Sequence, residues 1–259
     1  MPTIGERIEH VGGRMVRPFL QDSVFLKSIL YRMLWMLPET WRRSDEERDA
    51  FMAVARAAKG PVYFVNIGAN DGISGDQMRE FIVKYKWRGV LVEPVDFVFE
   101  RLQKAYRRVP QVICEHAAIA EQDGTMPFWF IRQNNVLPPG YDQVGSFNRA
   151  QVAQQTGWLP GLEPYIDCRN VRCLKLSTLL SNHAMDRVDI IQIDTEGYDY
   201  EIIKQIDFVK FRPKVIVYEH AQLSSSDAED CATRLLNEGY HLDLVRGNTV
   251  ARCRNFEWK

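Results

Sequence analysis

Between Val62 and Ile67 the chain reads VYFVNI, an apolar run broken only by Asn66, and it gives way at once to Gly68-Ala69-Asn70-Asp71-Gly72. Such a run has no amphipathic period, so it fits a strand covered on both faces, as in a parallel sheet. The glycines after it allow a tight turn and close backbone approach to a ligand. A helix predicted from about Gly75 to Lys86 would aim its first N–H groups at that turn. The pattern recurs down the chain. Gly89 to Val92 predicts a second strand, a helix follows from about Phe97 to Arg107, and Val112 to Ala118 predicts a third strand. Val188 to Ile193 and Lys214 to Tyr218 predict two more buried strands, separated by a helix from about Asp199 to Ile206. A helix from Asp227 to Asn237 ends at Gly239, and a strand pair, Tyr240 to Val245 and Thr249 to Arg252, turns at Gly247-Asn248. Strands alternating with helices imply an α/β fold with a doubly wound, mostly parallel sheet.

Ahead of this domain, residues 1–60 read as a helical N-terminal extension: Pro38 breaks one helix, and Ser44 with Glu47 forms a capping box opening another that runs to Lys59. Phe25 to Leu37 is apolar but carries Lys27 and Arg32, and it is shorter than the about 20 residues that span a bilayer. It suits packing on the domain, a homodimer contact or a peripheral membrane contact. No cleavable leader pattern precedes it, so the expected location is cytoplasmic, with the inner membrane face as an option. Among 259 residues, 33 Lys+Arg stand against 34 Asp+Glu, a balance that argues against nucleic acid as a partner. Five cysteines without a paired C-x-x-C spacing point to free thiols rather than zinc. Within 61–259, residues 121–170 stand out as an insertion, with a turn at Asp123-Gly124, a strand from Met126 to Ile131, and a stretch from Asn134 to Tyr165 rich in Pro, Gly, Asn and Gln. A connection of that length is commonly functional, and here it would shape the substrate side.

In open α/β sheets, ligands bind beyond the carboxyl ends of the strands, where strand order reverses. The first strand ends in the glycine turn. The second ends at Glu93-Pro94, where a carboxylate can accept from two ribose hydroxyls. The third ends at Glu115-His116-Ala117-Ala118, small enough for an adenine beside Glu115. The fourth and fifth end at Asp194-Thr195-Glu196-Gly197 and Glu219-His220, which should converge on the same crevice. Tyr200 and Lys204 form a Tyr-x-x-x-Lys, which leaves a nicotinamide oxidoreductase as an alternative, although Arg187 stands where that chemistry needs a serine. A binding module without chemistry is a second alternative.

Taken together, Ile67-Gly68-Ala69-Asn70-Asp71-Gly72, Glu93-Pro94, Ala117-Ala118, Asp189 to Tyr198 (DIIQIDTEGY), Pro213 and Tyr218-Glu219-His220 resemble, in order and spacing, the FkbM family of S-adenosylmethionine-dependent methyltransferases. The resemblance spans about residues 61–253. It implies a class I methyltransferase (Rossmann-like) fold with a seven-stranded sheet, S-adenosylmethionine over the first strands, and a hydroxyl of a sugar, glycan or natural product as acceptor. Asn66 departs from the pattern, because many members carry an acidic residue there. The cofactor set expected from this is Asn66, Gly68, Ala69, Asn70, Asp71, Gly72, Glu93, Pro94, Glu115, Ala117 and Asp194. Ser146, Asn148 and Glu219 are the expected substrate residues. Two mechanisms stay open. In one, His220 is the general base with Asp194 or Glu196 as its partner or as the alternative base. In the other, Asp194, Glu196 and Glu219 hold a divalent metal such as Mg that acidifies the hydroxyl.

Overall fold

A computed structural model describes residues 46–133, 144–155, 163–245 and 247–258. The expected helix around Phe25 to Leu37, and much of the polar stretch after Asn134, lie outside the described residues.

The chain begins with α1 (Glu46–Ala57), then alternates β1 (Tyr63–Ile67), α2 (Met78–Tyr85), β2 (Arg88–Val92), α3 (Asp96–Tyr106) and β3 (Val112–Glu115). There follow β4 (Ala118–Ile119), β5 (Gly124–Ile131), β6 (Gly145–Ser146), α4 (Arg149–Gln155) and β7 (Ile166–Leu174). Then come α5 (Leu176–Asn182), β8 (Ile190–Ile193), α6 (Asp199–Ile203), β9 (Val215–Glu219), α7 (Ser225–Asn237), β10 (Tyr240–Val245) and β11 (Asn248–Cys253). Seven strands form one sheet in the order β3-β2-β1-β8-β9-β11-β10, and β11 runs antiparallel to both of its neighbours. The expected seven-stranded, mostly parallel sheet is therefore present, and strand order reverses between β1 and β8.

Strand alternation divides the core into two layers. Phe64, Leu91, Ile190, Val215 and Val217 pack with Phe51 of α1, Phe81 of α2 and Leu102 of α3. Val65, Ile67, Val90, Ile191 and Ile193 face the other way, onto Leu179 of α5, Ile202 of α6 and Leu235 of α7. Helix α1 is tied into the first layer by its apolar stripe of Ala50, Phe51 and Val54, all buried. The Phe51 ring meets Phe81 edge-on at 5.7 Å and Trp87 at 6.1 Å.

One expected strand is two. Val112–Glu115 stays in the large sheet, the chain turns with Ala117 N–H on the Glu115 carbonyl, and Ala118–Ile119 joins a second sheet, ordered β4-β7-β5-β6. The described residues of the insertion thus contribute β5, β6 and the start of β7 to this small sheet. Pro127 fits within β5 because β6 pairs only with Trp129 and Phe130, so the missing N–H costs no ladder bond on that side.

Candidate cofactor and acceptor cleft

A cavity of about 240 Å³ opens over the carboxyl ends of β1, β2, β8 and β9, roofed on one side by the second sheet. Its first rim is the turn after β1. Gly68, at φ +79°, passes so close to β8 that a Cβ would lie 1.8 Å from the Asp194 carbonyl oxygen. The N–H groups of Gly68 and Ala69 both donate to the Val92 carbonyl, which binds the turn to the end of β2. Glu93 is 6% exposed, and its carboxylate accepts from Asn70 N–H at 3.1 Å and Val95 N–H at 2.9 Å. Those two bonds fix the carboxylate on the cleft floor. Asp71 turns inward and accepts from the N–H groups of Ile73 and Ser74 and from the Ser74 hydroxyl. Burial would raise its carboxyl, but these hydrogen bonds outweigh it and hold it below the usual range.

The opposite rim is acidic. Asp194, Glu196 and Glu219 bring carboxylate oxygens within 4.8 Å of one another. Asp199 locks the two chain segments that carry them: it accepts from Thr195 N–H at 3.2 Å, Thr195 Oγ1 at 2.6 Å and Glu219 N–H at 3.0 Å. Glu196 sits at φ +51°, a left-handed conformation that costs a side-chain-bearing residue energy. Its carbonyl is held by the Ser146 hydroxyl at 3.1 Å, so the second sheet braces this turn. Asp194 lines the cleft and is exposed there. The protein packed around it and the charges of Asp199 and Glu47 hold its carboxyl above the usual range. Burial and repulsion from Asp194 and Glu196 raise Glu219 further.

Of the residues expected from sequence, the cleft is lined by Asn66, Gly68, Ala69, Asn70, Glu93, Pro94, Ala117, Asp194, Glu196 and Glu219. The structure places the others elsewhere. Asp71 props up the glycine turn, and Gly72 makes room for α3, since a Cβ there would strike Leu102 and Tyr106 at 2.6 Å. Glu115 is drawn away from the cleft by Arg172 and by His183, whose Nε2 lies 2.7 Å from Glu115 Oε2. Ser146 and Asn148 are bracing residues: Asn148 Oδ1 accepts from Ala150 N–H at the start of α4, while Gly145 and Phe147 on either side of Ser146 face the cleft. His220 also points elsewhere. Its Nδ1 lies 2.8 Å from Thr249 Oγ1, its N–H donates to the Gly247 carbonyl, and burial lowers its pKa to about 4. His220 is therefore not among the residues that line the cleft, where a general base would stand. Tyr200 and Lys204 do not line the cleft either; the Lys204 ammonium lies over the Tyr200 ring and pairs with Glu201 at 2.6 Å.

Sequence reading missed Gln192, Asp199, Phe128 and Phe147. Gln192 had a signal, as the one amide in the apolar run VDIIQI, just as Asn66 is in VYFVNI. Phe128 and Phe147, 5.2 Å apart and perpendicular, form an apolar wall of the cleft; Phe147 also meets Tyr198 at 4.9 Å.

The family model "Methyltransferase FkbM domain" matches residues 66–242, more than half of the 259. The chain belongs to the FkbM methyltransferase family. Among solved structures, an FkbM methyltransferase from Methylobacillus flagellatus KT is 15% identical with a TM-score of 0.48, covering 74% of this chain and 43% of its own. The chain thus spans less than half of that FkbM relative. The N-terminal domain of human METTL16 is 10% identical (TM-score 0.43; 84% of this chain, 72% of its own). A ribosomal protein L11 methylase from Lactobacillus delbrueckii subsp. bulgaricus is 11% identical (TM-score 0.38; 82% and 81%). No curated protein matches the chain. Membership in the FkbM family implies S-adenosylmethionine as cofactor. The cleft suits it chemically: a glycine turn with no side chain in the way, a fixed carboxylate at the end of β2, and small Ala117 and Ala118 opposite. No helix among the described residues is long and apolar enough to cross a membrane.

Proposed function

We propose that this FkbM-family protein is an S-adenosylmethionine-dependent O-methyltransferase acting on a hydroxyl of a sugar, glycan or glycosylated natural product. One observation carries the reading: a glycine turn and a fixed carboxylate, Glu93, face an acidic rim of Asp194, Glu196 and Glu219 across a single cleft. The cofactor supplies an electrophilic methyl group on sulfur, and its leaving group departs neutral. What the chain must do is hold an acceptor oxygen in line with that methyl group and exclude competing water. Carboxylates only accept hydrogen bonds when ionised, so the acidic rim selects partners rich in O–H donors. The Phe128–Phe147 wall offers the apolar surface against which the C–H face of a sugar ring packs. Asp199 keeps the rim's carboxylates in register by gripping Thr195 and the Glu219 N–H together.

Calorimetric titration with S-adenosylmethionine and S-adenosylhomocysteine tests the cofactor, and consumption of radiolabelled methyl in a screen of hydroxylated acceptors tests the chemistry. Micromolar binding of both ligands with transfer to a sugar hydroxyl is the expected result. Binding without any transfer would favour a non-catalytic module, and absence of binding would end the methyltransferase reading.

A further inference from the structure

Past the glycine turn the chain still faces the cleft, which Ser74, Gly75 and Asp76 all line. A Cβ on Gly75 would meet nothing within 4 Å, so there is open space beside Asp76. The fold uses one oxygen of the Asp76 carboxylate and leaves the other. Oδ1 accepts from Met78 N–H at 2.9 Å and anchors the start of α2, whereas Oδ2 is buried with no hydrogen-bond partner.

The cation whose charge reaches Asp76 is directed elsewhere. Arg79 donates to the carbonyls of Gly72 at 3.3 Å and Ala105 at 3.5 Å, and its guanidinium lies over the Tyr106 ring at 4.8 Å. Asp189, by contrast, is gripped directly by Arg187 and Lys214. Burial of Asp76 therefore prevails over the N–H groups of Met78 and Arg79, the Arg79 charge and the Tyr106 hydroxyl, and holds its carboxyl up at about 6. A carboxylate kept this way at the wall of a cavity is costly to ionise alone, and a ligand cation that brings N–H donors relieves that cost.

We infer that Asp76 binds the ammonium group at the amino-acid end of the cofactor. The inference rests on the S-adenosylmethionine reading and adds a residue to it. One turn would then serve both ends of the ligand: Asn70, near its start, gives its N–H to Glu93, the carboxylate expected at the ribose, and Asp76 stands where the turn runs into α2. A primary ammonium offers three N–H donors and no acceptor, which complements a carboxylate oxygen that has no donor. The contact also makes the site selective, because adenosine compounds without an amino-acid end gain nothing from it.

The test is calorimetric titration of the full chain with three ligands: S-adenosylhomocysteine, its deamino analogue, and 5′-methylthioadenosine, which lacks the whole amino-acid end. Wild type should bind S-adenosylhomocysteine about tenfold or more tightly than the deamino analogue. In Asp76→Asn, whose amide oxygen can still take the Met78 N–H, affinity for S-adenosylhomocysteine should fall about tenfold while the other two ligands stay within about twofold of wild type. Circular dichroism of the variant checks that it folds. A uniform fall for all three ligands would overturn the inference and make Asp76 a support of the turn, and an unchanged affinity for S-adenosylhomocysteine would overturn it as well. Equal binding of S-adenosylhomocysteine and its deamino analogue by wild type would do so without any variant. Failure of folded wild type to bind any of the three would end the cofactor reading itself, and the inference with it.

Discussion

The two rims of the cleft solve opposite problems. On the Gly68–Glu93 side, polar groups close on one another: Glu93 takes the N–H groups of Asn70 and Val95, Asp71 takes those of Ile73 and Ser74, and Gly68 and Ala69 share the Val92 carbonyl. On the Asp194–Glu219 side, like charges face one another and the buried oxygens of Asn66, Gln192 and Glu219 lack partners. The first rim is shaped before a ligand arrives. The second is strained without one, and that contrast assigns the fixed surface to the cofactor and the strained one to the reacting groups.

The sharpest way to break the contrast is Gly68→Val. A Cβ there meets backbone, which cannot swing aside, so we expect a loss of more than about 4 kcal/mol in denaturant unfolding or failure to fold. A variant as stable as wild type would show that the first rim is not rigid. Asp199→Ala comes next. It strands Thr195 and the Glu219 N–H and should cost about 2–4 kcal/mol in stability. The milder Asp199→Asn should lower kcat far more than it lowers cofactor affinity; an equal loss in both would mean that the rims are not separate. Glu93→Ala should weaken S-adenosylhomocysteine binding by about 1–3 kcal/mol in calorimetry, while His220→Ala leaves that affinity and the turnover close to wild type.

The parallel strands of the large sheet could be read from the chain because each is a short apolar run between breakers, and the terminal pair because of the turn residues between its strands, signals that survive without knowledge of neighbours. Of the second sheet, β5 could be read as the run from Met126 to Ile131, but Ala118–Ile119 and Gly145–Ser146 are too short to show a period. Within the cleft, sequence located the right segments and misjudged orientation by single residues. Ser146 was expected where Gly145 and Phe147 face the cleft, and His220 was expected to face the same crevice as Glu219 although the chain turns between them onto Gly247. Side chains alternate along an extended chain, so an error of one position exchanges the inside for the outside. Glu115 was misplaced for another reason: its partners, Arg172 and His183, are more than fifty positions away, and nothing local announces them.

Two smaller effects sharpen the comparison. Ser146→Ala removes the bond that holds the Glu196 carbonyl and should cost about 1 kcal/mol, raising the acceptor KM without changing cofactor affinity. Asp76, beside the glycine turn, is raised by burial from 3.8 to about 6. The folded state therefore holds its proton more tightly than the unfolded chain, so stability from this group is present below about pH 4 and lost as pH rises through 6. Asp76→Asn should flatten the melting temperature across that interval; an unchanged slope would assign it to another group.

Because β11 lies between β9 and β10, the last strand made is an interior strand of the sheet. During synthesis β9 must wait with an open edge until Asn248 to Cys253 leave the ribosome, and β10 has nothing to join before then. Asn248 also bonds Glu47 of α1 at 2.8 Å, and Thr249 bonds His220. The two ends of the described chain therefore meet beside the acidic rim, and a nascent protein cannot assemble that rim until nearly all of this domain has emerged.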